Sequence, residues 1–120
     1  MKLEPELIKA ILQWGEDTLP CKEQSWLASQ LEFTGFTPDQ IVFHVQLLSE
    51  ERYINCIESG HGNYKDYFIE NLTMNGYQYL NLLRSKAWNT AKGIIRELGV
   101  MVSEVAIRTV IEMYAPKLII

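Results

Sequence analysis

Apolar residues near the start of the chain recur at helical spacing. In PELIKAILQWG they fall at Leu7, Ile8, Ile11, Leu12 and Trp14, one face of an amphipathic helix. Pro5 suits the first turn of that helix, and Gly15 reads as its stop. The segment KEQSWLASQLEFTGF is less regular. Trp26, Leu27 and Leu31 fit a short helix or a strand-like crossing, and a short helix or turn is the expectation. A clear start signal follows. Thr37 is an N-cap residue, Pro38 fits the first helical position, and Gln40 stands three residues after Thr37, the spacing of a capping box. Phe36 and Ile41 are placed as a hydrophobic staple across that cap. The helix is expected to run to about Arg52, with Ile41, Val45 and Leu48 on one face and Leu47 beside them.

The pattern then changes. RYINCIE and YKDYFIEN are rich in β-branched and aromatic residues and flank SGHGN, which predicts a hairpin over about residues 53–72. Thr73 caps a further helix, MNGYQYLNLLRS. AWNTAKGIIREL carries Trp88, Ala91, Ile95 and Leu98 at helical spacing before Gly99 stops it. A last helix is expected over about Met101 to Tyr114, closed by Pro116. Helix, short element, capped helix, hairpin is the order of a winged helix-turn-helix. The predicted class is mainly α with a small β-hairpin. Residues 1–72 form the winged-helix core, and the helices of residues 73–120 pack on it within a single domain. A chain of 120 residues is long enough for one such core and too short for two.

Several phrases resemble a family of small, uncharacterised bacterial and prophage proteins with a winged-helix fold. They are LIKAILQW, GFTPDQIVFHVQLLSEERYI and, most specifically, LTMNGYQYLNLLRSKAWNTAK, with SEVAIRTVIEMYAPKL a looser match. The sequence departs from that family after the long helix, where GLI or similar is usual and ERYI stands here. The resemblance implies the winged-helix fold and a DNA-linked or phage-linked role.

Charge complicates that role. The chain carries a net charge of −4, whereas dedicated nucleic-acid binders usually present a basic field. Residues 1–72 hold 5 basic and 12 acidic side chains, whereas residues 73–96 hold Arg84, Lys86, Lys92 and Arg96 and no acid. The helix in the reading position has no lysine or arginine between Pro38 and Glu51, and carries Asp39, Glu50 and Glu51. Two readings follow. In the first, a phage- or prophage-type accessory or regulatory protein meets duplex DNA through the hairpin tip and the helices behind it. His61, Asn63, Lys65, Arg84, Lys86, Lys92 and Arg96 then make the contact. In the second, an adaptor or inhibitor uses Asp39, Gln46, Glu50 and Glu51 to engage a basic protein. Fold alone does not choose between them.

Catalytic chemistry has no sequence support. There is no nucleophile elbow, no phosphate-cradling glycine loop and no metal-binding helix signature, so no enzyme activity and no cofactor are expected. Cys21, His44, Cys56 and His61 lack the close pairing of a zinc site. His44, mid-helix, is read as a base contact, a pH-sensitive group or a histidine supporting the fold. Charges interrupt both ends of the chain, so neither a signal peptide nor a membrane span is predicted, and a cytoplasmic location is expected. In the last helix Glu104, Arg108 and Glu112 form one charged stripe, and apolar residues cover most of the rest. An apolar face wider than one core requires points to a homodimer through Val102, Val105, Ala106, Val110 and Met113.

Overall fold

The computed structural model describes residues 4–19, 26–60, 62, 65–86 and 88. In chain order these form α1 (Pro5–Thr18), β1 (Trp26–Leu27), one 3-10 turn (Ala28–Gln30), α2 (Pro38–Glu50), β2 (Ile54–Ser59), β3 (Asp66–Leu72) and α3 (Met74–Arg84). Among the described residues the architecture is mixed α/β: three helices and one small antiparallel sheet of order β1–β3–β2. The expected hairpin is present as β2 and β3. It gains a third strand because Trp26 and Leu27 pair with Ile69 and Phe68 of β3. The ambiguous segment is therefore both of the things its pattern allowed, two residues of strand followed by one turn of helix.

The α1 face that reads as apolar is the buried one: Leu7, Ile8, Ile11 and Leu12 are at most 4% exposed. Full burial of each such side chain is worth roughly 1.5–3 kcal/mol. Gly15 does not end α1, which continues to Thr18. Its role is close approach, since a methyl group there would collide with Leu72 Cδ1 of β3. Trp14 packs edge-on against Trp26 with ring centroids 5.7 Å apart, joining α1 to the sheet.

The capping box on α2 is formed. The Gln40 N–H donates to Thr37 Oγ1 at 3.2 Å, and the Thr37 N–H donates to Gln40 Oε1 at 2.9 Å. Ile41, His44, Val45 and Leu48 turn inward. The helix ends at Glu50 by a Schellman arrangement: Tyr53 N–H donates to Leu48 O at 2.8 Å and Arg52 N–H to Ser49 O at 3.1 Å. Arg52 itself takes the left-handed conformation, φ +63°, where glycine is the ordinary residue.

The first turn of α3 is pressed onto this connection. Thr73 Oγ1 accepts the Gly76 N–H at 3.0 Å and donates to Arg52 O at 2.6 Å, while the Thr73 N–H donates to Tyr53 O. A methyl at Gly76 would strike that same Tyr53 carbonyl oxygen. The sheet, the helices and Trp88 close around one apolar core. Ser85 Oγ accepts the N–H of Trp88, which is 2% exposed. Ala91, Ile95, Leu98, Gly99 and the helix expected over residues 101–114 lie outside the described residues. No described helix is long and apolar enough to cross a membrane.

Candidate functional site

Because Ile41, His44, Val45 and Leu48 face the core, the outward face of α2 follows from helix geometry. At about 100° per residue it centres on Asp39, Phe43, Gln46 and Glu50, with Val42 on its flank. Asp39 and Glu50 are exposed, while Val42, Phe43 and Gln46 are half-buried. Gln46 Nε2 donates to Glu50 Oε1 at 3.1 Å, which holds the amide and the carboxylate side by side. The stripe reads acid, aromatic, amide, acid. Glu51 is exposed at the C-cap, about 100° around the helix from Glu50, and does not join the stripe.

The stripe borders a cleft of about 280 Å³ lined by Ser29, Pro38, Asp39, Val42, Phe43, Gln46 and Lys65. Its far wall is held by Asp66. That carboxylate, 4% exposed, accepts the Ser29 N–H at 3.1 Å, the Tyr67 N–H at 2.8 Å and the Ser29 hydroxyl. The 3-10 turn is thereby tied to the start of β3. Lys65, exposed and adjacent to Asp66, is the cleft's cation.

The basic group behind the hairpin is only partly described. Arg84 Nη2 lies 2.7 Å from Glu16 Oε2, and its Nε donates to Gln13 Oε1 at 2.9 Å. This cation is thus turned onto α1 of its own chain. Lys86 is exposed two residues later. His61, Asn63, Lys92 and Arg96 lie outside the described residues, as do Val102, Val105, Ala106, Val110 and Met113. The structure therefore lines one cleft with Asp39, Gln46 and Lys65 and joins Glu50 to Gln46 along α2, whereas Arg84 is engaged with α1.

His44 is not placed to touch a base: its side chain is fully buried. Its Nδ1 lies 2.7 Å from the Gln40 carbonyl, an acceptor, so Nδ1 carries the proton and Nε2 accepts the Glu4 N–H at 2.9 Å. Burial lowers the His44 pKa, against smaller raising effects of the Gln40 hydrogen bond and the Glu4 charge. Cys56 is a half-buried free thiol, pushed up to about 11 chiefly by burial and so an unreactive one at neutral pH.

Sequence reasoning missed Pro38, Val42, Phe43 and Ser29 as lining residues. The spacing of Asp39, Phe43, Gln46 and Glu50 carries the signal for Phe43, but only once the inward face of the helix is known. Among the described residues, three helices with a three-stranded antiparallel sheet make this a small mixed α/β domain. The chain belongs to the family described as hypothetical protein (DUF2513), whose family model matches residues 2–101. No curated protein and no solved structure matches it.

Proposed function

We propose that this chain is a winged-helix module that binds a protein partner carrying basic side chains, through the outward face of α2. The element order, with β1 paired beside the hairpin strand β3, supports the winged-helix reading. One observation carries the choice of partner: the helix that would enter a DNA groove presents Asp39 and Glu50 around Phe43, with no cation on that face. Carboxylates set against phosphate repel it, and base contacts worth roughly 1–3 kcal/mol each do not easily offset two such charges. The same face suits lysine or arginine side chains at its acidic ends and an apolar side chain at Phe43. The module then acts as an adaptor or inhibitor of a basic protein.

A second reading keeps duplex DNA as the target of a phage- or prophage-type accessory or regulatory protein. Lys65, exposed at the base of the hairpin tip, is the observation that favours it. Arg84 weakens it, being engaged by Glu16 and Gln13. A gel shift with short duplex at about 50 mM salt separates the two, since nonspecific phosphate binding is strongest when salt is low. The protein-binding reading expects no retention. Retention that disappears with salt and with Arg84→Ala plus Lys86→Ala supports the DNA reading instead.

A further inference from the structure

The strand order β1–β3–β2 leaves β2 with one neighbour, so its other side is an edge of the sheet among the described residues. Edge strands present a row of backbone N–H and C=O groups that pair readily with another chain. Proteins ordinarily blunt them with lysine, proline, an inward charge or a bulge. β2, with sequence INCIES, has neither lysine nor proline; its one charge, Glu58, is paired in register with Tyr67 on the core side of the sheet but remains exposed near the end of the strand. The register irregularity of the hairpin does not blunt it either. Asn55 pairs with Asn71 and Cys56 with Ile69, so the extra residue, Glu70, belongs to β3.

The outer face of the hairpin is apolar where β2 is centred. Ile57 is 56% exposed, and Phe68, its register partner on β3, is 37% exposed. Two of the four large apolar side chains exposed among the described residues thus stand side by side at this strand edge; the other two, Met74 and Tyr77, are on α3.

We propose that β2 pairs with β2 of a second copy of this chain, antiparallel about a two-fold axis through Ile57. In this register Ile57 faces Ile57 of the second copy, Asn55 faces Ser59 and Cys56 faces Glu58. Residues directly opposite on antiparallel strands project from the same side of the sheet. The exposed row therefore becomes Phe68, Ile57, Ile57, Phe68, running continuously across the two copies. Neighbouring registers are poorer. An axis through Glu58 sets two carboxylates opposite each other, and an axis through Cys56 sets Ile57 opposite Asn55. A two-fold contact uses the same patch on both copies, and a strand edge with an apolar residue at its centre meets that requirement. A contact confined to one six-residue strand per copy is at the small end of specific interfaces, so weak association is expected. Each copy is acidic and the contact holds no ion pair, so added salt strengthens it by screening, the reverse of an ion-paired contact.

This inference is independent of the α2 reading and of the homodimer contact expected from the sequence of residues 101–114. Sedimentation equilibrium of the full chain tests it. The wild type is expected to reach dimer mass as concentration rises through roughly 100 µM. Ile57→Lys, a change at an exposed position, weakens the dimer at least about tenfold. Val105→Lys with Val110→Lys does not weaken it. Under mild oxidation Ile57→Cys forms a disulfide-linked dimer, whereas Ser59→Cys and the wild type, whose native thiols serve as the control, do not. A chain that stays monomeric throughout that range overturns the proposal, as does a dimer that Ile57→Lys leaves unchanged.

Discussion

His44 Nε2 accepts the backbone N–H of Glu4 at 2.9 Å, joining α2 to the start of α1 across forty residues of chain. Glu4 is the N-cap of α1 and makes no side-chain cap of its own. The bond requires a neutral imidazole, because the other ring nitrogen already donates to Gln40. The folded-state pKa is lowered from the ordinary 6.5, so the unfolded chain binds the proton more tightly. This contribution to stability is fully present above about pH 6.5 and is lost as pH falls through the lower, folded-state value. Urea unfolding at about pH 7.5 and pH 5.5 should therefore show a weaker fold at the acid value. His44→Phe removes the acceptor and flattens that dependence. It costs about 1–3 kcal/mol at neutral pH, because the Glu4 N–H is left unpaired.

Gly76 and Gly15 should differ on replacement by alanine. At Gly76 the added methyl meets a backbone oxygen, that of Tyr53, which Thr73 also uses as an acceptor. Gly76→Ala is expected to cost about 2–3 kcal/mol by forcing α3 off the α2–β2 connection. At Gly15 the obstacle is the end of the Leu72 side chain. There the helix-propensity gain of about 1 kcal/mol offsets much of the repacking. Thermal or chemical unfolding of the two variants ranks them. Equal losses would contradict this account of how α3 is docked.

Arg52 holds a left-handed backbone conformation at the end of α2, φ +63°. For a residue with a Cβ this conformation costs roughly 1–2 kcal/mol, part of which glycine gives back as unfolded-state entropy. Arg52→Gly is therefore predicted to stabilise the protein by about 0.5–1 kcal/mol, read as an increase in the denaturant midpoint with the slope unchanged. This is the position at which the sequence reads ERYI.

Local signals carried much of the fold. Thr37 with Gln40, Thr73 ahead of α3, and the SGHGN turn all lie within a few residues of what they organise, and each element forms where its signal predicts. The failures share one physical origin, contacts distant in sequence. Gly15 reads as a helix stop because its partner, Leu72, is not local. For His44 the local sequence does not select the fold-supporting role, which the structure bears out, over a base contact, because Glu4, whose N–H it accepts, sits forty residues earlier. β1 is too short to show a strand period and exists through its pairing with Ile69 and Phe68. The candidate site divides the same way. Asp39, Gln46 and Glu50 are legible as an acidic helix face, whereas the engagement of Arg84 by Glu16 appears only when α1 and α3 are packed together.

The most direct test of α2 as the binding face is amide chemical-shift mapping on the 15N-labelled protein. One sample is titrated with an amphipathic lysine–leucine peptide and a second with a short duplex. The account predicts that the peptide moves the signals of Asp39, Phe43, Gln46 and Glu50, that Asp39→Lys with Glu50→Lys abolishes the effect, and that duplex leaves the spectrum unchanged. Shifts induced by duplex around Lys65, Arg84 and Lys86, with α2 unmoved by peptide, would contradict it.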